Sequence, residues 1–116
     1  MNTKIYYLYS DASNYKKDNV VVLEGEYTQA DVGAILATLD AGEYFIPENV
    51  GWDCDRFVEW TEDDHVYCEM DDTCFELTDE PATECQVDGE WRTMTIAEAV
   101  ERFQAAAEDG WTAIAM

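Results

Sequence analysis

The chain's 116 residues suffice for one domain with a core of its own and are too few for two ordinary ones. With 47% apolar and 13% aromatic residues it has the material for that core, unlike acidic, aromatic-poor chains that stay disordered. Twenty-seven Asp and Glu against six Lys and Arg give a net charge of -21, which argues against phosphates or an anionic membrane as direct ligands, because both require an excess of cations.

Taken in chain order, KIYYLYSD (4–11) partly alternates and is rich in aromatics, so it predicts a strand that ends at the loop DASNYKKD. VVVLEGEY (20–27) predicts a second strand, with a break at Gly25. Thr28 followed three residues later by Asp31 is a helix-capping pattern, and Val32, Ile35, Leu36 and Leu39 fall at helical spacing, so a helix is expected to run towards Gly42. EYFIP is a short extended piece, and residues 48–60 are irregular or hold one helical turn.

HVYCEM-DD-TCFEL predicts a hairpin turning at Asp71-Asp72, with Met70 opposite Thr73, Cys68 opposite Phe75 and Val66 opposite Leu77 on the core side. His65, Tyr67, Glu69, Cys74, Glu76 and Thr78 then point outwards. Further short strands separated by an Asp88-Gly89 turn precede a second helix over 96–108, capped by Thr95 and Glu98 and stopped at Gly110. WTAIAM adds a last strand or packs on the core. Together these elements predict an α+β fold over residues 1–116, an antiparallel sheet with two helices packed on one side.

Three chemistries compete for the segment 62–77, which sets seven carboxylates beside the single histidine and two of the four cysteines. Zinc needs three or four ligands converging on one ion, yet the hairpin sends Cys68 inwards and His65 and Cys74 outwards, and the spacing lacks paired Cys-x2-Cys knuckles. A calcium loop fails because Val58 stands where the turn glycine is needed. A Cys-His nucleophile fails on reach, since Cys74 and His65 lie several cross-strand rows apart, and no nucleotide-binding or hydrolase motif is present. The expectation is therefore no enzyme, no metal and no cofactor, with Cys54, Cys68, Cys74 and Cys85 as reduced thiols.

What remains is charge. From residue 57 to residue 91 there is no Lys or Arg, while thirteen carboxylates are present. Glu59, Glu62, Asp63, Asp64, Glu69, Asp71, Asp72, Glu76, Asp79 and Glu80, with Trp60 and Tyr67 among them, form the predicted partner-binding face. Carboxylates two apart on a strand stand about 6.6 Å from one another on one side of a sheet, a spacing that imitates a regular phosphate backbone. Trp60, between Glu59 and Glu62, is the candidate aromatic anchor, and at least two of the other tryptophans are expected in the core.

The segments DASNYK (11–16), GEYFIPENVG (42–51) and DDH (63–65) resemble a group of short acidic proteins encoded in bacterial mobile elements and phages. That resemblance covers about two thirds of the chain and carries no functional residue with it. It implies a genetic setting in which small acidic proteins block host restriction or CRISPR enzymes, and the composition also looks like that of anti-CRISPR and antirestriction DNA mimics. The leading expectation is a non-enzymatic inhibitor acting in the bacterial cytosol, where the absence of a leader-like or membrane-spanning segment places it, and occupying the basic groove of a nucleic-acid-binding defence enzyme. The alternatives are an immunity-type module that sequesters a basic toxin or partner, and an acidic domain with no dedicated charge partner.

Overall fold

The computed structural model describes residues 1–10, 16–40, 42–52 and 68–111. Strand β1 (Asn2–Ser10) is the spine of a five-stranded antiparallel sheet. It pairs with β2 (Lys16–Leu23) from Thr3↔Leu23 to Ser10↔Lys16. On its other edge it pairs with β4 (Cys68–Glu69) and then with β5 (Phe75–Thr78), while β3 (Tyr44–Phe45) pairs with β4. A separate two-stranded sheet joins β6 (Glu84–Val87) to β7 (Glu90–Thr93).

Alternation along β1 decides the layering. Thr3, Ile5, Tyr7 and Tyr9 are buried, and the last three join one core with Val32 and Ile35 of helix α1 (Gln29–Leu36) and Ala99, Phe103 and Ala106 of helix α2 (Ile96–Asp109). The fold is thus the expected α+β arrangement, with both helices against one side of the sheet. Phe45, Trp52, Phe103 and Trp111 fill its centre, with ring centroids 5.1–6.2 Å apart and mostly edge-on. Trp52 and Trp111 are core residues, and the Trp111 indole N–H donates to the Thr38 carbonyl. Residues 112–116, the predicted last strand, lie outside the described residues.

Both helices begin where the capping patterns put them. Thr28 accepts from the Asp31 N–H while the Asp31 carboxylate accepts from the Thr28 N–H, and Thr95 and Glu98 repeat the exchange. Helix α1 is shorter than expected and closes at Ala37. The Thr38 hydroxyl and backbone N–H both donate to the Ile35 carbonyl, which tightens the last turn and releases the chain before Gly42. Leu39 still reaches the core from the turn that follows.

The predicted hairpin over 65–78 is not a hairpin. Residues 65–67 lie outside the described residues, and β4 and β5 do not pair with each other. Both pair with β1, end to end along one edge, and between the pairs Leu8↔Glu69 and Ile5↔Phe75 two residues of β1 face five, Met70 to Cys74. Asp72–Cys74 coil the surplus into a 3₁₀ turn, and the Asp71 carboxylate caps it by accepting from the Thr73 N–H and hydroxyl. The turn draws Cys74, expected to face outwards, to a half-buried position; Leu77, expected inside, is 43% exposed at the sheet's end.

Gly51 lets the second sheet approach. Its φ is +84°, a Cβ there would stand 2.0 Å from the Gln86 carbonyl oxygen, and the Gln86 N–H donates to the Gly51 carbonyl. At the other end of the hairpin Asp88 and Gly89 both have positive φ, 54° and 86°, as a tight two-residue turn requires. Cys85 and Val87 enter the core from β6. Among the described residues no helix is long and apolar enough to cross a membrane.

Candidate protein-binding face

Strand β1 carries large apolar or aromatic residues in both phases, and two helices cover only one side of the sheet. The other phase, Lys4, Tyr6 and Leu8, forms the outer face together with Asp18, Val20 and Val22 of β2, Glu69 of β4, Tyr44 of β3, and Glu76 and Thr78 of β5. One end of this face is roofed by residues 79–83. Glu80 lies over β1, where its carboxylate takes the Lys4 ammonium at 2.6 Å and its carbonyl accepts from the Asn2 amide. Thr83 then exchanges hydrogen bonds with the N–H and carbonyl of Val22 at the β2 edge. Val22 is buried as a result, whereas Tyr6 and Val20, side by side, stay 40% and 46% exposed.

Carboxylates surround that apolar pair. Asp18 and Glu69 flank Leu8 on the two neighbouring strands, so their Cα atoms stand about 10 Å apart, two strand spacings. Glu76 accepts a hydrogen bond of 2.7 Å from the Tyr6 hydroxyl, which holds the ring in place and raises the phenol's pKa. Lys4 sits 5.5 Å from the centre of the same ring, and its bond to Glu80 raises the ammonium's pKa. At the rim an open cavity of about 230 Å³ is lined by Leu8, Glu43, Glu69, Met70, Asp71 and Cys74. The Thr73 hydroxyl and N–H lower the Asp71 pKa, while burial raises that of Cys74. Asp71 thus stays charged and Cys74 a neutral thiol.

Two unit charges 10 Å apart in water repel by about 0.4 kcal/mol, so each pair on this face costs little and only the sum matters. An incoming cation gains the same small terms together, and this is how a field steers association without any single strong bond.

The structure divides the predicted face. Glu69 and Glu76 stand on the outer sheet face, Asp71 and Asp72 are exposed in the turn at its rim, and Asp79 and Glu80 lie in the covering segment. Glu59, Trp60, Glu62, Asp63, Asp64 and Tyr67 lie outside the described residues. The rest of the cation-free run is elsewhere: Glu84, Asp88 and Glu90 belong to the β6–β7 hairpin, and Asp88 is paired with Arg102 at 2.7 Å. Sequence reasoning missed Asp18, Glu43, Tyr6, Leu8 and Val20, because it looked for the face inside one acidic segment. The available signal was β1 itself, which sets Tyr6 and Leu8 in the phase opposite Ile5, Tyr7 and Tyr9, more apolar surface than one covered side accounts for.

Among the described residues no three His, Cys, Asp or Glu side chains are placed to share a metal ion. Cys68 and Cys85 are buried and Cys74 is half-buried. No family model, curated protein or solved structure matches the chain.

Proposed function

We propose that this protein is a non-enzymatic inhibitor that lays the outer face of its sheet into the basic nucleic-acid groove of a host defence nuclease, of the CRISPR or restriction type. The carrying observation is a sheet face left uncovered by the helices and studded with Asp18, Glu69 and Glu76, with Glu43, Asp71 and Asp72 at its rim, and with Lys4 already held by Glu80. Overall dimensions support the reading. A duplex as long as the molecule's 40 Å axis carries about 24 phosphate charges, and the chain carries -21. The similarity of three segments to proteins of mobile elements directs the proposal to defence nucleases rather than to basic proteins at large.

The test is DNA cleavage by such a nuclease with added protein. Inhibition is expected to be relieved by excess duplex and to weaken steeply as salt rises, since each displaced phosphate contact contributes to the salt slope. Inhibition that ignores both salt and competing DNA would place the inhibitor outside the groove.

A further inference from the structure

We infer that the outer face selects arginine over lysine: the strip Tyr6–Leu8–Val20 receives the flat guanidinium and its stem, and Asp18, Glu69 and Glu76 around it accept the N–H bonds. The inference rests on the proposed use of this face and names the partner's chemistry, an arginine-bearing surface.

Charge alone does not require what is found here. A purely electrostatic face is served by carboxylates over any sheet, yet the centre of this one holds an aromatic and a β-branched residue side by side, 40% and 46% exposed. A compact, strongly hydrated ammonium gains little from an apolar strip. A guanidinium is planar and weakly hydrated, stacks on rings, and meets carboxylates with a two-pronged fork. The Glu76 bond fixes the Tyr6 ring, so a stacking partner meets a surface already in place. Lys4 beside that ring shows that the face tolerates a cation against it. Asp18 and Glu69 lie one strand spacing to either side of Leu8, about 4.8 Å at the Cα atoms, within reach of a guanidinium lying over the strip.

The probes are two labelled peptides, nona-arginine and nona-lysine, of equal formal charge, titrated into the full chain at physiological salt. Nona-arginine is expected to bind about tenfold more tightly, the increment that stacking on an aromatic ring provides. The double variant Tyr6→Thr, Val20→Thr keeps strand-forming residues at exposed sites, so the fold should persist, as circular dichroism would show. It should bring the ratio close to unity and leave nona-lysine affinity within about twofold, the scale of an unchanged electrostatic term. Trp91→Thr, at an exposed aromatic of the separate hairpin, should leave the ratio intact. Equal affinities in the wild type, or a ratio that survives the double variant, overturns the inference. The charge-reversed chain Glu43→Lys, Glu69→Lys, Glu76→Lys separates the two ideas. If it loses both peptides while the wild type does not discriminate, the acidic face stands and the arginine preference falls; if it keeps both peptides, the face itself is not the binding site and both fall.

Discussion

At Gly51 one missing methyl group lets two sheets meet. With φ at +84° and the Gln86 carbonyl 2.0 Å from where a Cβ would be, Gly51→Ala must push β6 away and break the Gln86–Gly51 hydrogen bond. The expected loss is about 3 kcal/mol in denaturant unfolding, with Cys85 and Val87 made more accessible to probes. Glu98 is the residue whose charge matters most locally. The Arg92 guanidinium, which donates to it from both terminal nitrogens, and then the Thr95 N–H pull its pKa down to about 2. A carboxylate depressed in the folded state stabilises it above the unfolded pKa near 4.5 and loses that contribution as pH falls through 2. Its side chain is 29% exposed, so screening keeps the effect near that of a surface pair with a cap, about 1 kcal/mol. Glu98→Gln should therefore cost about that much at neutral pH, and the gap from wild type should close between pH 4.5 and 2. A gap independent of pH would mean that the amide is failing in shape and not in charge.

At the scale of elements, local chemistry and long-range pairing part company. Thr28, Thr95 and Gly110 mark helix ends through bonds or conformations made within a few residues, so the sequence alone locates them. Thr95→Ala should cost about 1 kcal/mol, as should Gly89→Ala at the positive-φ turn of β6–β7, both measurable by thermal unfolding. The Asp71-Asp72 signal was equally real, and the chain does bend there. A bending residue, however, does not say which strand its neighbours will join. Here the apolar edge of β1, some 60 residues away in sequence, accepted both flanks and left three residues over. Because three is odd, the surplus reverses the alternation just as a hairpin turn would. That is why Cys68, Met70 and Phe75 were assigned correctly to the core, and Glu69 and Glu76 to the outside, on the strength of a pairing that does not exist. Tyr6, Leu8 and Val20 were hidden for a related reason: which phase of a strand with large apolar or aromatic residues in both phases faces the helices is settled only by packing.

For the molecule as a whole, a charge of -21 on 116 residues works against compaction. Added sodium chloride should raise the melting temperature, by about 5 °C if screening returns roughly 1 kcal/mol. A melting temperature indifferent to salt would show that the acids are locally balanced. In the proposed role the same surplus becomes useful when a cationic surface covers it, on the side of the sheet that the helices leave open. Cross-saturation NMR of the methyl-labelled protein, bound to a nuclease it inhibits, tests this most directly. Saturation should pass to the methyl groups of Leu8 and Val20 on the open side, and not to Ile96 and Val100 of α2. Transfer to the helix instead, with Leu8 and Val20 silent, would contradict it.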